Sequence, residues 1–185
     1  MTSGSEREPD VLLRPELDFG AFTGAFDAER RSRGLTWFTF TDELWDQSAD
    51  LNAQRPEDHC LCGGAVSRLP AREDTSCQYA LFMLRWLGRP PEDFVRDARD
   101  VGDTRLPDAG PDRRLRWDLP QLYVALDERR RELGLTWSGL ADVLSCTPSR
   151  LTNLRSARQA DLALVMRVTQ WLGRPAADFI HPATW

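Results

Sequence analysis

The chain has 185 residues, of which 41% are hydrophobic and 29% charged, and its formal net charge is −5. This composition is typical of a globular protein with room for two small domains, and no apolar run approaches the roughly 20 residues of a membrane span. All basic residues are Arg, and residues 112–185 hold 11 of them against 8 acidic residues, whereas residues 1–111 hold 13 against 21. An acidic chain disfavours nucleic acid as a partner, but the second part carries the positive charge that such binding uses.

Two segments of the chain are nearly alike and reveal a tandem repeat. Residues 18–37 align without gaps on residues 118–137, with nine of twenty positions identical. The sequence WLGRP occurs at 86–90 and again at 171–175. The offset is 100 residues at the first pair and 85 at the second, so copy 1 carries 15 extra residues between them. A duplicated module usually keeps its fold while one copy is free to change its function.

The repeat divides the chain into four parts. Residues 1–16 are polar and contain two prolines, so we expect a disordered tail. Copy 1 is assigned to residues 17–96, a charged spacer to 97–114 and copy 2 to 115–185. Because the first ten residues lack the basic and apolar regions of a signal peptide, we expect a cytoplasmic protein.

Copy 1 begins with an apolar helical pattern at Phe19, Phe22 and Phe26 and then diverges from copy 2. A polar insertion at residues 45–61 precedes the segment CGGAVSRLP, which aligns with the third helix of copy 2. Two Gly at its start and Pro70 at its end give this segment a poor helical propensity. We therefore expect a short helix, displaced from the angle that reading a DNA groove needs.

Five helical segments follow one another in copy 2. Capping residues stand before the first four of them: Asp118, Thr136, Thr147 and Asp161. Pro148 suits the first position of the third helix, because its missing N–H would have no partner there. Apolar residues repeat at helical spacing in the first helix, at Leu119, Leu122, Tyr123, Leu126 and Leu133. The fourth helix is predicted over residues 162–172 with Gly173 as its stop, and a short fifth over residues 176–180.

The second and third helices of copy 2 are joined by a three-residue turn, and the third has a small polar outer face, as in a helix-turn-helix. The segments LTWSGLADVL at 135–144 and TPSRLTNL at 147–154 resemble the XRE (Cro/C1-type) family of transcriptional regulators. The resemblance implies an all-α protein with two tandem five-helix helix-turn-helix domains, the first degenerate. The family usually has Gln where this chain has Ser138, and Gly in the turn where it has Ser145 or Cys146.

The outer face of the third helix carries the candidate DNA contacts. Arg150 and Asn153 are three residues apart, so their side chains lie over the same groove. Arg can bond guanine O6 and N7 together, and Asn can do the same with adenine N6 and N7. The other DNA-binding candidates are Ser138 and Thr152, with Thr147, Ser149, Arg155 and Arg158 expected at backbone phosphates. The alternative is that all of them are solvated residues of an ordinary helix.

His59, Cys60, Cys62 and Cys77 offer four possible zinc ligands. The repeat favours packing instead, because Cys77 aligns with Leu162 and a buried free Cys behaves as a small hydrophobe. We therefore expect the cysteines to pack in the core, with no metal and no cofactor.

The sequence shows no catalytic constellation, because it has two His, no glycine-rich phosphate loop and no carboxylate pair with a supporting context. We expect a protein without enzymatic activity that regulates transcription by reading double-stranded DNA through copy 2. Reading a palindrome needs two recognition helices about 34 Å apart, which predicts a homodimer. Copy 1 would serve dimerisation or receive a protein or small-molecule effector. The alternative is an antitoxin-like or adaptor protein whose helix-turn-helix domains contact only proteins.

Overall fold

In a computed structural model of the chain, residues 14–58 and 61–185 are described. They are mostly helical, as the sequence predicts, and two small antiparallel sheets of two strands each, which it did not predict, accompany the helices. Residues 1–13 of the expected disordered tail lie outside the described residues. Within the described ranges, no helix is long and apolar enough to cross a membrane.

Copy 1 opens with strand β1 (Glu16–Leu17) and closes with strand β2 (Val95–Arg96), which pair with each other. Between them lie helices α1 (Phe19–Ser32), α2 (Trp37–Asp46), α3 (Ala49–Gln54), α4 (Gly63–Val66) and α5 (Cys77–Leu87). Short 3-10 turns follow α4 at Leu69–Ala71 and α5 at Pro91–Phe94. Helix α3 has no counterpart in copy 2 and lies in the insertion.

Copy 2 repeats this order. Its elements are strand β3 (Arg114–Trp117), helices α6 (Leu119–Glu132), α7 (Trp137–Val143), α8 (Pro148–Thr152) and α9 (Leu162–Leu172), and strand β4 (Ile180–Ala183). The predicted fifth helix is a 3-10 turn, Ala176–Phe179, and runs directly into β4, which pairs with β3. The strands are two to four residues long, too short to produce a readable alternation of apolar and polar residues.

Two of the four predicted caps form in copy 2. Asp118 accepts a hydrogen bond from the Gln121 N–H at 2.8 Å, and Thr136 accepts one from the Gly139 N–H at 3.0 Å. Thr147 precedes α8 and Asp161 precedes α9, but neither side chain accepts a capping bond from a described residue.

Helix α9 is capped instead from copy 1. The carboxylate of Asp74 accepts a hydrogen bond from the Ala163 N–H at 3.2 Å, while the carboxylate of Asp161 is paired with Arg150. The predicted cap by the Asp161 side chain is therefore wrong. Arg150 engages the Asp161 carboxylate, and Asp74 of copy 1 takes its place at the start of the helix. The start of α9 depends on copy 1.

The copies are joined where α5 and α9 begin. The N–H of Cys77 donates to the Ala160 carbonyl at 2.7 Å, and the N–H of Leu162 donates to the Thr75 carbonyl at 2.8 Å. Cys77 aligns with Leu162 and Thr75 with Ala160, so the two bonds are related by an approximate twofold axis. The two copies therefore pair within one chain as the protomers of a symmetric dimer pair with each other.

Each two-stranded sheet packs against the last long helix of the other copy, β3 on α5 and β1 on α9. Gln78 of α5 holds β3 in place, since its side-chain amide donates to the Leu115 carbonyl at 2.8 Å and accepts from the Trp117 N–H at 3.3 Å. Buried apolar residues of both copies belong to one cluster. The hydrophobic core is thus continuous across the repeat.

The C-terminal end of the predicted spacer is bonded to copy 1. The guanidinium of Arg85 in α5 donates to the carbonyls of Gly110 at 3.2 Å and Arg113 at 3.1 Å. The N–H of Leu51 in α3 donates to the Pro111 carbonyl at 3.1 Å. The insertion in copy 1 therefore provides part of the surface on which the spacer lies.

The helix-turn-helix turn of copy 2 reverses at Ser145, whose φ is +51°. This left-handed conformation costs a residue with a side chain about 1 to 2 kcal/mol. Arg167 of α9 supports the turn from behind by donating to the carbonyls of Leu144 at 2.8 Å and Ser145 at 3.0 Å. The chain thus keeps the turn although it lacks the Gly that the resemblance leads one to expect.

Replacing Ser145 with Gly should raise the free energy of unfolding by about 1 kcal/mol, because Gly adopts a positive φ without steric cost. The change is measured by urea denaturation. Ser138→Gly is the matched control, because this exposed residue lies inside α7, where Gly should lower stability by about 0.5 kcal/mol. Destabilisation by both substitutions would show that the turn carries no strain.

Candidate nucleic-acid interface

Helix α8 is fixed to the body of copy 2 by its apolar side. Leu151 and the following Leu154 are buried, α8 packs on α7, and the 3-10 turn Asn153–Arg155 packs on α6. The polar outer face that the sequence predicts for this helix therefore has a buried apolar side opposite it. Ser149 and Asn153 are exposed on the other side, and Arg150 and Thr152 are half-buried.

Arg150 and Asn153 share a location, as their spacing predicts. Both line a shallow depression of about 200 Å³ that Asp161 also borders. Within it, the guanidinium of Arg150 forms an ion pair with the carboxylate of Asp161. The two side chains remain 39% and 54% exposed, and an exposed ion pair contributes only about 0 to 1 kcal/mol. A base edge or a phosphate can therefore compete for Arg150.

The remaining DNA-binding candidates are distributed around α8. Four of them are exposed: Ser138, Thr147, Arg155 and Arg158. Neither Arg155 nor Arg158 forms an ion pair with another residue in 14–58 or 61–185. The Thr147 and Ser149 hydroxyls lie 3.1 Å apart, and the Thr152 hydroxyl donates to the Ser149 carbonyl at 3.3 Å. Hydroxyl groups and free guanidinium groups thus surround the outer face of the helix.

Negative charge is concentrated on the side of α8 that faces copy 1. Burial raises the pKa of Asp74, hydrogen bonds from the Thr75 and Ala163 backbone lower it, and the nearby Asp161 raises it again. Arg150 is close enough to lower the same pKa. The positive charge near α8 that no carboxylate of the described residues neutralises therefore comes from Arg155 and Arg158.

Helix α4 is the counterpart of α8 in copy 1 and lies against α2. A Cβ atom added at Gly63 would be 3.4 Å from the Trp37 carbonyl oxygen and 3.5 Å from the Thr41 hydroxyl. These are ordinary van der Waals distances, so α4 is in direct contact with α2 at this residue. Helix α4 is only four residues long, which confirms the predicted short helix, and it packs on α2.

The outer surface of copy 1 differs chemically from that of copy 2. Phe38 stands at the position equivalent to Ser138, and its side chain is 74% exposed. Gly64, Ala65 and Ser67 replace the larger polar residues of α8. An aromatic ring cannot donate a hydrogen bond to phosphate, and these small side chains cannot reach a base edge.

The proposed zinc ligands are only partly within the described residues, since His59 and Cys60 lie outside them. Cys62 is exposed and Cys77 is buried, where burial raises the pKa of the Cys77 thiol to about 12. A protonated thiol is a poor zinc ligand. The packing interpretation is confirmed for Cys77 and wrong for Cys62. Among the residues described, no three His, Cys, Asp or Glu side chains are grouped to hold a metal.

A groove runs between copy 1 and copy 2. It consists of two adjoining depressions of about 620 and 780 Å³, both lined by Gln78, Arg116 and Gln159. Burial lowers the pKa of Arg116, and the charge of Arg114 lowers it further. Arg114 is paired with Asp58 at 2.6 Å, so part of the positive charge here is neutralised.

Comparison of the chain with protein-family models, with curated proteins and with solved structures finds no match in any of the three. A function for this chain is therefore argued from its own residues and their geometry.

Proposed function

We propose that this protein is a transcription regulator of the XRE type that binds double-stranded DNA in a sequence-specific manner through copy 2. The observation that supports it most directly is α8 itself. This short helix follows a tight turn, is fixed by buried Leu151 and Leu154, and presents Arg150 and Asn153 side by side. These are the side-chain types that bond guanine and adenine edges in the major groove.

Contacts to the phosphate backbone come from the residues around α8. Arg155 and Arg158 supply positive charge, and Ser138, Thr147 and Ser149 supply hydroxyl donors at the surface. Phosphate contacts of this kind set the register of a helix on the duplex without carrying sequence information. In this proposal the protein has no enzymatic role.

Copy 1 has a supporting role in the proposal. It contributes half of the twofold pairing, caps α9 through Asp74, and forms one side of the groove at Gln78, which would receive a protein or small-molecule effector. Exposed Phe38 and the small side chains of α4 argue against a second DNA-reading surface.

A protein-interaction or antitoxin-like adaptor is the second candidate. It is favoured by the pairing of Arg150 with Asp161 and by the carboxylate of Asp74 close to both, which weaken the attraction of this side of α8 for phosphate. A pull-down of fragmented host DNA with the full chain, followed by sequencing, separates the two. Enrichment of one sequence motif supports regulation, and recovery of random fragments or of none contradicts it.

We expect Arg150→Ala or Asn153→Ala to weaken binding to the enriched site by about 1 to 3 kcal/mol and to relax the preference at one base pair. Asp161→Asn should strengthen binding, because it releases Arg150 and removes a negative charge. Fluorescence anisotropy with the specific site and with random DNA measures both effects. An equal loss on the two DNAs would show that these side chains only hold phosphates.

Arg68→Ala should leave the DNA affinity and its dependence on salt nearly unchanged. Arg68 follows α4 on the surface of copy 1, and each lost phosphate contact would reduce the salt slope by about one unit. Leu69→Ala should instead lower the free energy of unfolding by about 2 to 5 kcal/mol, because its side chain is buried. A tenfold loss of affinity in folded Arg68→Ala protein would mean that both copies read DNA.

A palindromic operator should bind two chains. One chain offers one reading helix in this proposal, and symmetric recognition needs two of them about 34 Å apart. Light scattering of the free protein and of its complex with the specific site gives the stoichiometry. One chain bound to one full operator would contradict the homodimer and assign the second half-site to copy 1.

A further inference from the structure

We propose that a cavity behind the helix-turn-helix turn of copy 2 binds a small organic anion, with a carboxylate or phosphate group attached to a compact apolar body. The cavity measures about 230 Å³. Four separate segments form it: the residues before β1, the chain after β2, the turn after α7, and α9. The first two segments flank copy 1 in the sequence and the other two belong to copy 2, so the cavity forms where the ends of copy 1 meet copy 2.

The polar part of the lining consists of hydrogen-bond donors. Arg14, Arg99 and Arg167 each carry a guanidinium, and no carboxylate occurs among the described residues that line the cavity. Arg167 already supports the Leu144 and Ser145 carbonyls, whereas the side chain of Arg99 is exposed. Guanidinium groups bind carboxylate and phosphate oxygens through charge-assisted hydrogen bonds.

Gln170 provides the most specific observation. The residue is only 1% exposed, and its Nε2 has no hydrogen-bond partner in the part of the chain that the structure describes. Its Oε1 accepts from the Arg99 N–H at 2.7 Å, which fixes the amide so that Nε2 is the free end. A buried donor without a partner is unfavourable, and because Gln170 lines the cavity, a ligand oxyanion that reached this N–H would satisfy it.

In copy 1, a side chain fills the position that is equivalent to this cavity. Arg85 aligns with Gln170, and its guanidinium donates to several backbone carbonyls, including Gln47 at 2.8 Å and Gly110 at 3.2 Å. The depression left beside it measures only about 10 Å³. At this position of the repeat, the Arg85 guanidinium fills the space in copy 1. Copy 2 instead has a cavity lined by guanidinium groups.

The rest of the lining is apolar and limits the size of the ligand. Val143, Leu144 and Trp171 surround the guanidinium groups. A bare inorganic ion would leave this surface unused, and a long chain would not fit. The ligand class that matches is an oxyanion on a single ring or a short branched chain.

The position of the cavity suggests its use. Val143, Leu144 and Ser145 belong to the segment that orients α8, so a bound ligand contacts the residues that set the recognition helix. This consequence rests on the proposed DNA function. Binding of the anion does not rest on it and is tested without DNA.

The test is calorimetric titration of the full chain with benzoate and with phenyl phosphate. We expect saturable one-to-one binding of at least one of them, with a dissociation constant below about 1 mM. Benzamide, which lacks the charge, and inorganic phosphate, which lacks the ring, should bind at least tenfold more weakly. Failure of both aromatic anions, or equal binding of inorganic phosphate, would overturn the proposal.

The location is checked by substitution and by NMR. Arg14→Gln with Arg99→Gln should weaken binding at least tenfold, whereas Arg105→Gln, on an exposed Arg of the same spacer, should not change it. The side-chain amide signal of Gln170 should shift on binding, because Nε2–H gains an acceptor. Unchanged affinity in the double variant, or an unshifted Gln170 amide, would place the ligand elsewhere and overturn the assignment.

Discussion

The reciprocal pair of hydrogen bonds between Thr75–Cys77 and Ala160–Leu162 is the contact on which the arrangement of this protein depends. Around it, α5 meets α9, and each strand pair reaches the helix of the other copy. Every composite feature follows from this pairing: the cap that Asp74 gives to α9, the groove lined by Arg116, and the cavity beside Gln170. A small domain buries only a modest core, and sharing one core between two copies increases the buried fraction of each.

The two copies have kept the same fold, but their surfaces differ in chemistry. Arg30 stacks on Trp37 at 4.1 Å and Arg130 stacks on Trp137 at 4.6 Å, so the support of the first helix is the same in both copies. Buried positions keep an apolar residue, although its type changes, since Phe22 and Phe40 stand where copy 2 has Leu122 and Leu140. A closely packed interior disfavours polar replacements. The chemical type changes at the exposed position of Phe38 and Ser138, and at Arg85 and Gln170, whose side chains bond the backbone of the spacer. Divergence of function between the copies is expected at such places.

Positive and negative charges are distributed unevenly around the proposed interface. Asp74 and Asp161 are fixed close to the twofold axis because one caps α9 and the other pairs with Arg150. Arg155 and Arg158 follow α8 and stay free of ion pairs throughout the described ranges. The net charge of −5 therefore says little about this face, since a bound duplex responds to the local field.

The sequence by itself determined the repeat, the long helices and the polar outer face of α8. Helix α9 occupies the predicted residues 162–172, and Gly173 ends it with a φ of +66°, because helical periodicity and a left-handed stop are local signals. Only the tertiary structure decided the two sheets, the capping of α9 by Asp74 and the partner of Arg150. The physical reason is distance along the chain: Asp74 bonds a residue 89 positions away, and no local pattern records such a partner. The cavity at Gln170 could not be predicted either, because its four segments are far apart in the sequence and meet only in the folded chain.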